Sequence, residues 1–223
     1  MAVPTPQQLR SFDENGFLLV SGLIPDGIPS LAQAALWRAI GADPAERATW
    51  PERTVALGCD DVSVRGCFTR DMAEFVDVLS EEARPGWTPP NAGFAIVAFP
   101  TPGPWVPQPP HIDHALPNDG YRVFPRPMRM ASLLYLNDVA PRSGGTVVWP
   151  GSHKAIQALA ESDPARFALM TPLDIALRAE LNLGEGIEAG GKAGDVLFYH
   201  YLTAHSGSSN AGAYPRFALA HKW

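Results

Sequence analysis

The chain has 223 residues, a net charge of −6, and 46% hydrophobic against 18% charged residues. This is enough apolar material for one sizeable domain with its own core, far from the sparse hydrophobicity of disordered chains. No run of Lys or Arg offers a track for phosphates, and no stretch approaches the ~20 apolar residues of a membrane helix, which argues against nucleic acid and membrane as partners. The opening MAVPTPQQLRSFDENG has neither a basic n-region nor an apolar h-region, so the expected location is cytoplasmic. Cys59 and Cys67 are the only cysteines, lack CxxC spacing, and read as reduced thiols.

Thr5-Pro6-Gln7-Gln8 has the pattern of a capping box with proline at the first helical position, and Gly16 stands where that helix would stop. A strand, Phe17-Leu18-Leu19-Val20, is expected next. After Pro25-Asp26-Gly27 the apolar positions Leu31, Ala35, Leu36, Ala39 and Ile40 recur at helical spacing and predict one buried face. Thr69 is placed to cap a further helix whose Met72, Phe75, Val76 and Leu79 share that period. Residues 1–90 therefore read as a mainly helical flank, a brace rather than a site.

From Phe94 the texture changes to short β-type runs, FAIVAF, RMASLLYL, GTVVW, DVLFYH and RFALAH, separated by Pro, Gly and Asn. They predict an antiparallel barrel or sandwich built from 91–151 and 189–223. Between them, 152–188 reads as a helical insertion, with Asp163-Pro164 as a cap and first-turn pair. On this reading 1–223 is a single domain. The prolines are densest in PTPGPWVPQPP, a stiff loop leading to His111.

His111-Ile112-Asp113 follows that loop. In an extended segment residues i and i+2 point to the same side, so the imidazole and the carboxylate converge. Alone the triplet is a weak signal, and its plain alternative is a loop histidine bonded to a nearby aspartate. His205 lies 92 residues beyond Asp113 in GDVLFYHYLTAHSGSSN. Two histidines and one carboxylate form the facial set suited to iron(II). Three protein ligands leave positions for a bidentate oxo acid and O₂, which a closed tetrahedral zinc site lacks. Arg216 comes eleven residues after His205, beyond a turn-rich stretch, 207–212, that lets the chain reverse. A guanidinium grips a carboxylate with two parallel hydrogen bonds; a surface ion pair is the plain alternative for this arginine.

These motifs, with the opening FDENGFLLVSGLIP and the segment LNDVAPRSGGTVVWPGSH, resemble the phytanoyl-CoA dioxygenase family of iron(II)/2-oxoglutarate oxygenases. The resemblance implies a mainly β fold with flanking helices, a double-stranded β-helix (jelly roll, cupin-like). It implies that His111, Asp113 and His205 bind Fe(II) and that Arg216 binds the distal carboxylate of 2-oxoglutarate. With O₂, such a site oxidises, by hydroxylation, a C–H bond of a small-molecule substrate and releases succinate and CO₂. Related halogenases lack the carboxylate that Asp113 supplies. Three places depart from the family pattern: Ile112 stands where Gln is common, Gly207 where Ser is often found, and the strand where relatives often set a polar or aromatic group against the cosubstrate reads Ala131-Ser132-Leu133-Leu134-Tyr135. Thr146 and Ser132 are further candidates for cosubstrate contact, with core packing as the plain alternative for Thr146 and for Trp149 beside it.

His200 is set aside as a ligand, because only His205 has the family spacing to Arg216. His114 would face away from the neighbouring ligand, toward a rim or solvent. His153 is read as structural and His221 as packing near the C-terminus. Arg122, Arg126 and Arg129 could meet an acidic substrate, a solvated loop being the plain alternative. The insertion 152–188 and the loop 118–127 are expected to line or cover the entrance. Two other classes stay open: a cupin-like zinc, nickel or manganese enzyme acting as isomerase or hydrolase, and a catalytically inactive jelly-roll binding module.

Overall fold

Helix α1 (Pro6–Asn15) starts as its sequence predicts. Thr5 Oγ1 accepts from the Gln8 N–H at 3.2 Å, and Gln8 Oε1 accepts from the Thr5 N–H at 2.8 Å, which satisfies two donors that a helix start leaves unpaired. Gly16 ends the helix at φ 78°, a conformation that costs other residues roughly 1–2 kcal/mol. A Cβ there would also lie 2.4 Å from His153 Nδ1 and 2.6 Å from Thr203 Oγ1. The turn therefore lies tight against the barrel, and strand β1 (Phe17–Val20) enters the main sheet with Phe17 opposite Tyr199. The computed structural model describes residues 3–113 and 122–223.

Helix α2 (Ile28–Ile40) forms, but with its buried face rotated from the predicted one. Ala32, Ala35, Leu36 and Trp37 are buried, whereas Leu31 is 59% exposed and Ala39 is exposed. Trp37 sets the rotation. It is the largest apolar group on the helix, and its ring lies 4.9 Å from Phe217 and 5.6 Å from Trp50. After the short helix α3 (Val62–Gly66) comes α4 (Arg70–Leu79), where Thr69 accepts from the Met72 N–H at 3.2 Å. Its Met72, Phe75, Val76 and Leu79 are all buried, each such side chain contributing about 1.5–3 kcal/mol relative to exposure. The flank is not wholly helical, however. Strand β2 (Val55–Cys59), unforeseen because Gly58 breaks its β-type pattern, pairs with β3 (Gly93–Ala98) and becomes an edge of the main sheet.

Strands β4 (Met130–Tyr135), β7 (Val196–His200) and β9 (Arg216–Lys222) complete a six-stranded antiparallel sheet of order β1-β7-β4-β9-β3-β2. A smaller sheet, β6-β5-β8, is formed by β5 (Thr146–Val148), β6 (Ile187–Ala189) and β8 (His205–Ser206). The fold is a jelly roll: mainly β, cupin-like, with helices on its flanks. Side chains alternate across it. On β9, Phe217 and Leu219 join the cluster under α2 and α4, while Ala218 faces Tyr135, Leu197 and Tyr199 on the inner side.

The outer face of the small sheet is covered by α5 (Ser152–Ser162) and α6 (Met170–Glu180). Their Ile156, Leu173 and Leu177 pack with Val147, Trp149 and Ile112. The insertion thus ends earlier than predicted, because residues 187 and 188 already belong to β6. Asp163-Pro164 opens a single turn instead of α6. Asp163 Oδ1 accepts from the Arg166 N–H at 3.0 Å, but α6 begins only at Met170, with no side-chain cap. Arg129 is no solvated loop residue. At 3% exposure it pairs with Asp77 and donates to the Glu82 carbonyl at 2.7 Å, while Arg126 meets the Glu82 carboxylate, also at 2.7 Å, tying the end of α4 to the start of β4. Among the described residues, no helix is long and apolar enough to cross a membrane.

Replacing Gly16 by alanine should destabilise the protein by about 2 kcal/mol or more, since it adds a left-handed backbone penalty to a collision with His153. Urea unfolding, read as a lowered midpoint at unchanged slope, checks this.

Candidate active site

The site begins with a backbone pairing. The N–H of His111 donates to the His205 carbonyl and the N–H of His205 to the His111 carbonyl, each at 2.9 Å. This double bond holds the imidazoles side by side, ring centroids 4.5 Å apart. Ile112 is fully buried on the opposite side, so Asp113 returns to the side of His111. Its Oδ1 lies 3.7 Å from His205 Nε2, and one donor atom from each of the three residues falls within 4.8 Å of the others.

Protonation follows from the neighbours. His205 Nδ1 sits 2.9 Å from the Thr203 carbonyl, which can only accept, so that nitrogen carries a hydrogen and Nε2 is the one turned toward Asp113. Burial takes the His111 pKa down to about 4, with His205 adding to the effect, so this ring is neutral at pH 7. For Asp113, burial pushes the pKa up, but His205, Lys222 and His111 outweigh it and hold the carboxyl below its usual range. A neutral His111 ring, the Asp113 carboxylate and His205 Nε2 thus converge on one point. Without a cation between them that arrangement is repulsive; with a divalent metal it is a ready ligand set.

Helix α6 holds this arrangement from behind. Asp174, 4% exposed, accepts the Ile112 N–H through Oδ1 at 2.8 Å; Arg178 pairs with Asp174 at 2.8 Å and donates to the Pro110 carbonyl at 3.1 Å. This reverses the expected division of labour. Among the described residues, none of 152–188 or 122–127 lines the cavity beside the triad, whereas Thr54, from the supposed brace, does. The insertion is drawn away because its apolar face is consumed by the small sheet. His114 and residues 118–121 lie outside the described residues.

The cavity has a volume of about 680 Å³. Its floor is formed by inward residues of the main sheet, Ile96, Ala131, Leu133, Tyr199 and Ala220, and Arg216 stands at one end. Arg216 is 4% exposed; its Nε donates to the Gly144 carbonyl at 2.8 Å and its Nη1 to the Ile96 carbonyl at 3.1 Å. No carboxylate among the described residues pairs with it. Burial alone would lower the pKa of such a group, so a guanidinium kept here calls for an anion from outside the chain. Gly144 makes the approach possible: at φ 79° it leaves only 3.1 Å between a would-be Cβ and the Cβ atoms of Ala98 and Asn210.

Of the remaining sequence candidates, Thr146 is buried and lines the cavity. Ser132 does not line it. Strand alternation turns Ala131 and Leu133 inward and Ser132 outward, where its hydroxyl accepts from Trp223 Nε1 at 2.9 Å. His200 stands apart from the triad, its ring 5.3 Å from that of His153. His221 packs against Phe68 and Trp223 while also bordering the cavity. Sequence reasoning missed Tyr199, whose ring lies 4.5 Å from that of His205 and helps fix it, and also Gln108 and Lys222. For Tyr199 and Lys222 the signal was available: each shares the inward alternation of its strand.

Fold and cluster together define a cupin-like jelly roll of the kind found among 2-oxoglutarate oxygenases. The chain belongs to the phytanoyl-CoA dioxygenase (PhyH) family, which matches residues 12–218. A search of the curated proteins gives no match. Among solved structures, it is similar to HygX from Streptomyces hygroscopicus, determined with nickel, 2-oxoglutarate and hygromycin B bound, at 18% identity and a TM-score of 0.60 over 97% of this chain and 86% of that one. It is also similar to the epimerase SnoN in complex with Fe3+, alpha ketoglutarate and nogalamycin RO (17%, TM-score 0.60, 96% and 80%). A third is the alpha ketoglutarate dependent carbocyclase SnoK from nogalamycin biosynthesis (15%, TM-score 0.60, 97% and 82%). At these identities the likeness is one of fold.

Asp174→Ala should cost about 1–3 kcal/mol by leaving the buried Ile112 N–H unpaired, and Asp174→Asn, which keeps an acceptor, should cost less; chemical denaturation of both variants checks this. Acid should also destabilise the metal-free protein. Burial depresses His111 to about 4 and His200 to about 3 from 6.5, so the unfolded chain takes up these protons first. Their stabilising contribution is complete above pH 6.5 and is lost as the pH falls toward 4. Melting temperatures between pH 7.5 and 4.5 should fall accordingly, with a shallower slope in His200→Asn.

Proposed function

We propose that the protein is an iron(II)- and 2-oxoglutarate-dependent dioxygenase that hydroxylates a C–H bond of a small molecule. The observation that carries this reading is a single cavity shared by a two-histidine, one-carboxylate cluster and a buried arginine with no acidic partner among the described residues. Family membership supports it. HygX and SnoN, determined with a metal and the oxo acid bound, add an analogy of fold.

His111, Asp113 and His205 would hold the iron from one face. When bound, iron and 2-oxoglutarate supply the oxidising power with O₂: one oxygen atom enters the substrate C–H bond, the other enters the new carboxylate of succinate, and CO₂ leaves. The chain's own contribution is placement and electrostatics. Two neutral rings and one carboxylate leave a net positive charge at the metal end, and Arg216 puts another at the far end, so a dianionic oxo acid meets a cation at each carboxylate. The Gly144 and Ile96 carbonyls fix the guanidinium plane, and Thr146 borders the same space. Ala131, Leu133 and Ala220 keep the floor apolar, which limits water around the reacting bond. Asp113 fills the position that must be vacant for a halide to bind, which favours hydroxylation. A cupin-like zinc, nickel or manganese isomerase or hydrolase would leave Arg216 without a task, and an inactive binding module would leave both groups without one.

Protein purified without oxygen should bind one equivalent of iron(II) and bind 2-oxoglutarate only in its presence, as read by metal analysis and calorimetry. Asp113→Ala should abolish substrate-linked succinate formation; full activity in that variant refutes the ligand assignment. Arg216→Ala should raise the KM for 2-oxoglutarate about thirtyfold or more, and Arg216→Lys should only partly restore it, because an ammonium cannot make the paired contact.

A further inference from the structure

On β9 strand alternation turns Arg216, Ala218, Ala220 and Lys222 to the inner side, so one strand carries a cation at each end, with His221 also bordering the cavity beside Lys222. Lys222 stands opposite Ala131 on β4. Its Nζ lies 3.8 Å from Asp113 Oδ2, while the other carboxylate oxygen faces His205. The ammonium thus forms a long ion pair with the ligand carboxylate at the edge of the cavity. The side chain is 39% exposed and borders the cavity next to Phe94 and Ala220.

We propose that Lys222 binds a carboxylate of the primary substrate, and that the substrate is a small carboxylic acid oxidised at a carbon close to that group. The inference rests on reading the site as an iron and 2-oxoglutarate centre. Three features of the cavity support it. Its arginine and lysine sit at opposite ends of β9, so the end away from the oxo acid has its own positive charge. Nζ is so near Asp113 that an anion held there sits only a few bonds from the metal position. The volume of about 680 Å³ must hold the oxo acid as well as the substrate, which suits a compact molecule whose body lies against Phe94, Ile96 and Leu133. A single ammonium matches the single charge of a carboxylate better than the double charge of a phosphate ester.

The test uses the iron-loaded enzyme with 2-oxoglutarate in air. Succinate release is measured against a panel of amino acids, hydroxy acids and short saturated acids, each paired with its primary amide, and against phosphate monoesters. One or more acids should stimulate release and their amides should not. In Lys222→Met the KM for that acid should rise roughly ten- to hundredfold, and Lys222→Arg should recover most of the loss. Calorimetry on the oxygen-free nickel(II) and 2-oxoglutarate form should show the same weakening for the acid, with the Kd for 2-oxoglutarate changed less than about twofold. The proposal is overturned if amides, phosphate esters or only neutral compounds drive turnover, or if no panel member does while the wild-type protein binds metal and 2-oxoglutarate. It is equally overturned if Lys222→Met weakens 2-oxoglutarate binding as much as acid binding, since the lysine would then only support Asp113. Failure of the wild-type protein to bind metal and 2-oxoglutarate would instead remove the reading on which the inference rests.

Discussion

Two backbone hydrogen bonds, exchanged between His111 and His205, are the constraint on which the rest of the site depends. They join a loop and a strand that are far apart in the chain, and they set the distance between two imidazoles without any contribution from the rings. Because the pairing belongs to the main chain, its geometry is insensitive to which residues flank the ligands. Ile112 illustrates this. Its side chain is buried in the cluster beneath the small sheet, where an apolar group packs well, and its N–H is held by Asp174. The family's usual glutamine is therefore dispensable for presenting His111 and Asp113 on one side.

The electrostatics build outward from that pairing. Burial keeps the His111 ring neutral, the Thr203 carbonyl selects the tautomer of His205, and Asp113 remains charged among them. A guanidinium buried at 4% exposure is costly unless its hydrogen bonds are met, and among the described residues two carbonyls meet only part of its capacity. Such uncompensated charge is a strain on folding that binding can relieve, and it lies in the same cavity as the cluster.

Local signals were legible where physics is local. The capping box at Thr5, the stop at Gly16, the cap at Thr69 and the four buried positions of α4 depend on neighbours within a turn or two, and all stand in the structure. The order of the β-type runs and the spacing of the His-x-Asp triplet, His205 and Arg216 were equally readable. What could not be read were choices made by distant partners. The rotation of α2 was decided by Trp50, Phe99 and Phe217 around Trp37; β2 exists because β3 offers it an edge; and the 152–188 helices went to the back of the small sheet because Val147 and Trp149 needed cover there. Ser132 was an error of parity. With the strand direction known, its inward neighbours exclude it, and the same parity would have drawn attention to Lys222.

The triad hangs from the small sheet through β8, whereas Arg216 belongs to the large one. The gap between the sheets, ordinarily near ~10 Å, therefore acts as a pair of calipers for whatever bridges them. On the proposed reading, the jaw opening follows the packing of the cluster between the sheets, in which Val148 and Leu197 are both fully buried and out of reach of solvent. Preference for a five-carbon oxo diacid over its shorter and longer homologues is then a property of how tightly aliphatic side chains pack between the sheets, and could drift with a methyl group gained or lost there, as at Val148 opposite His205.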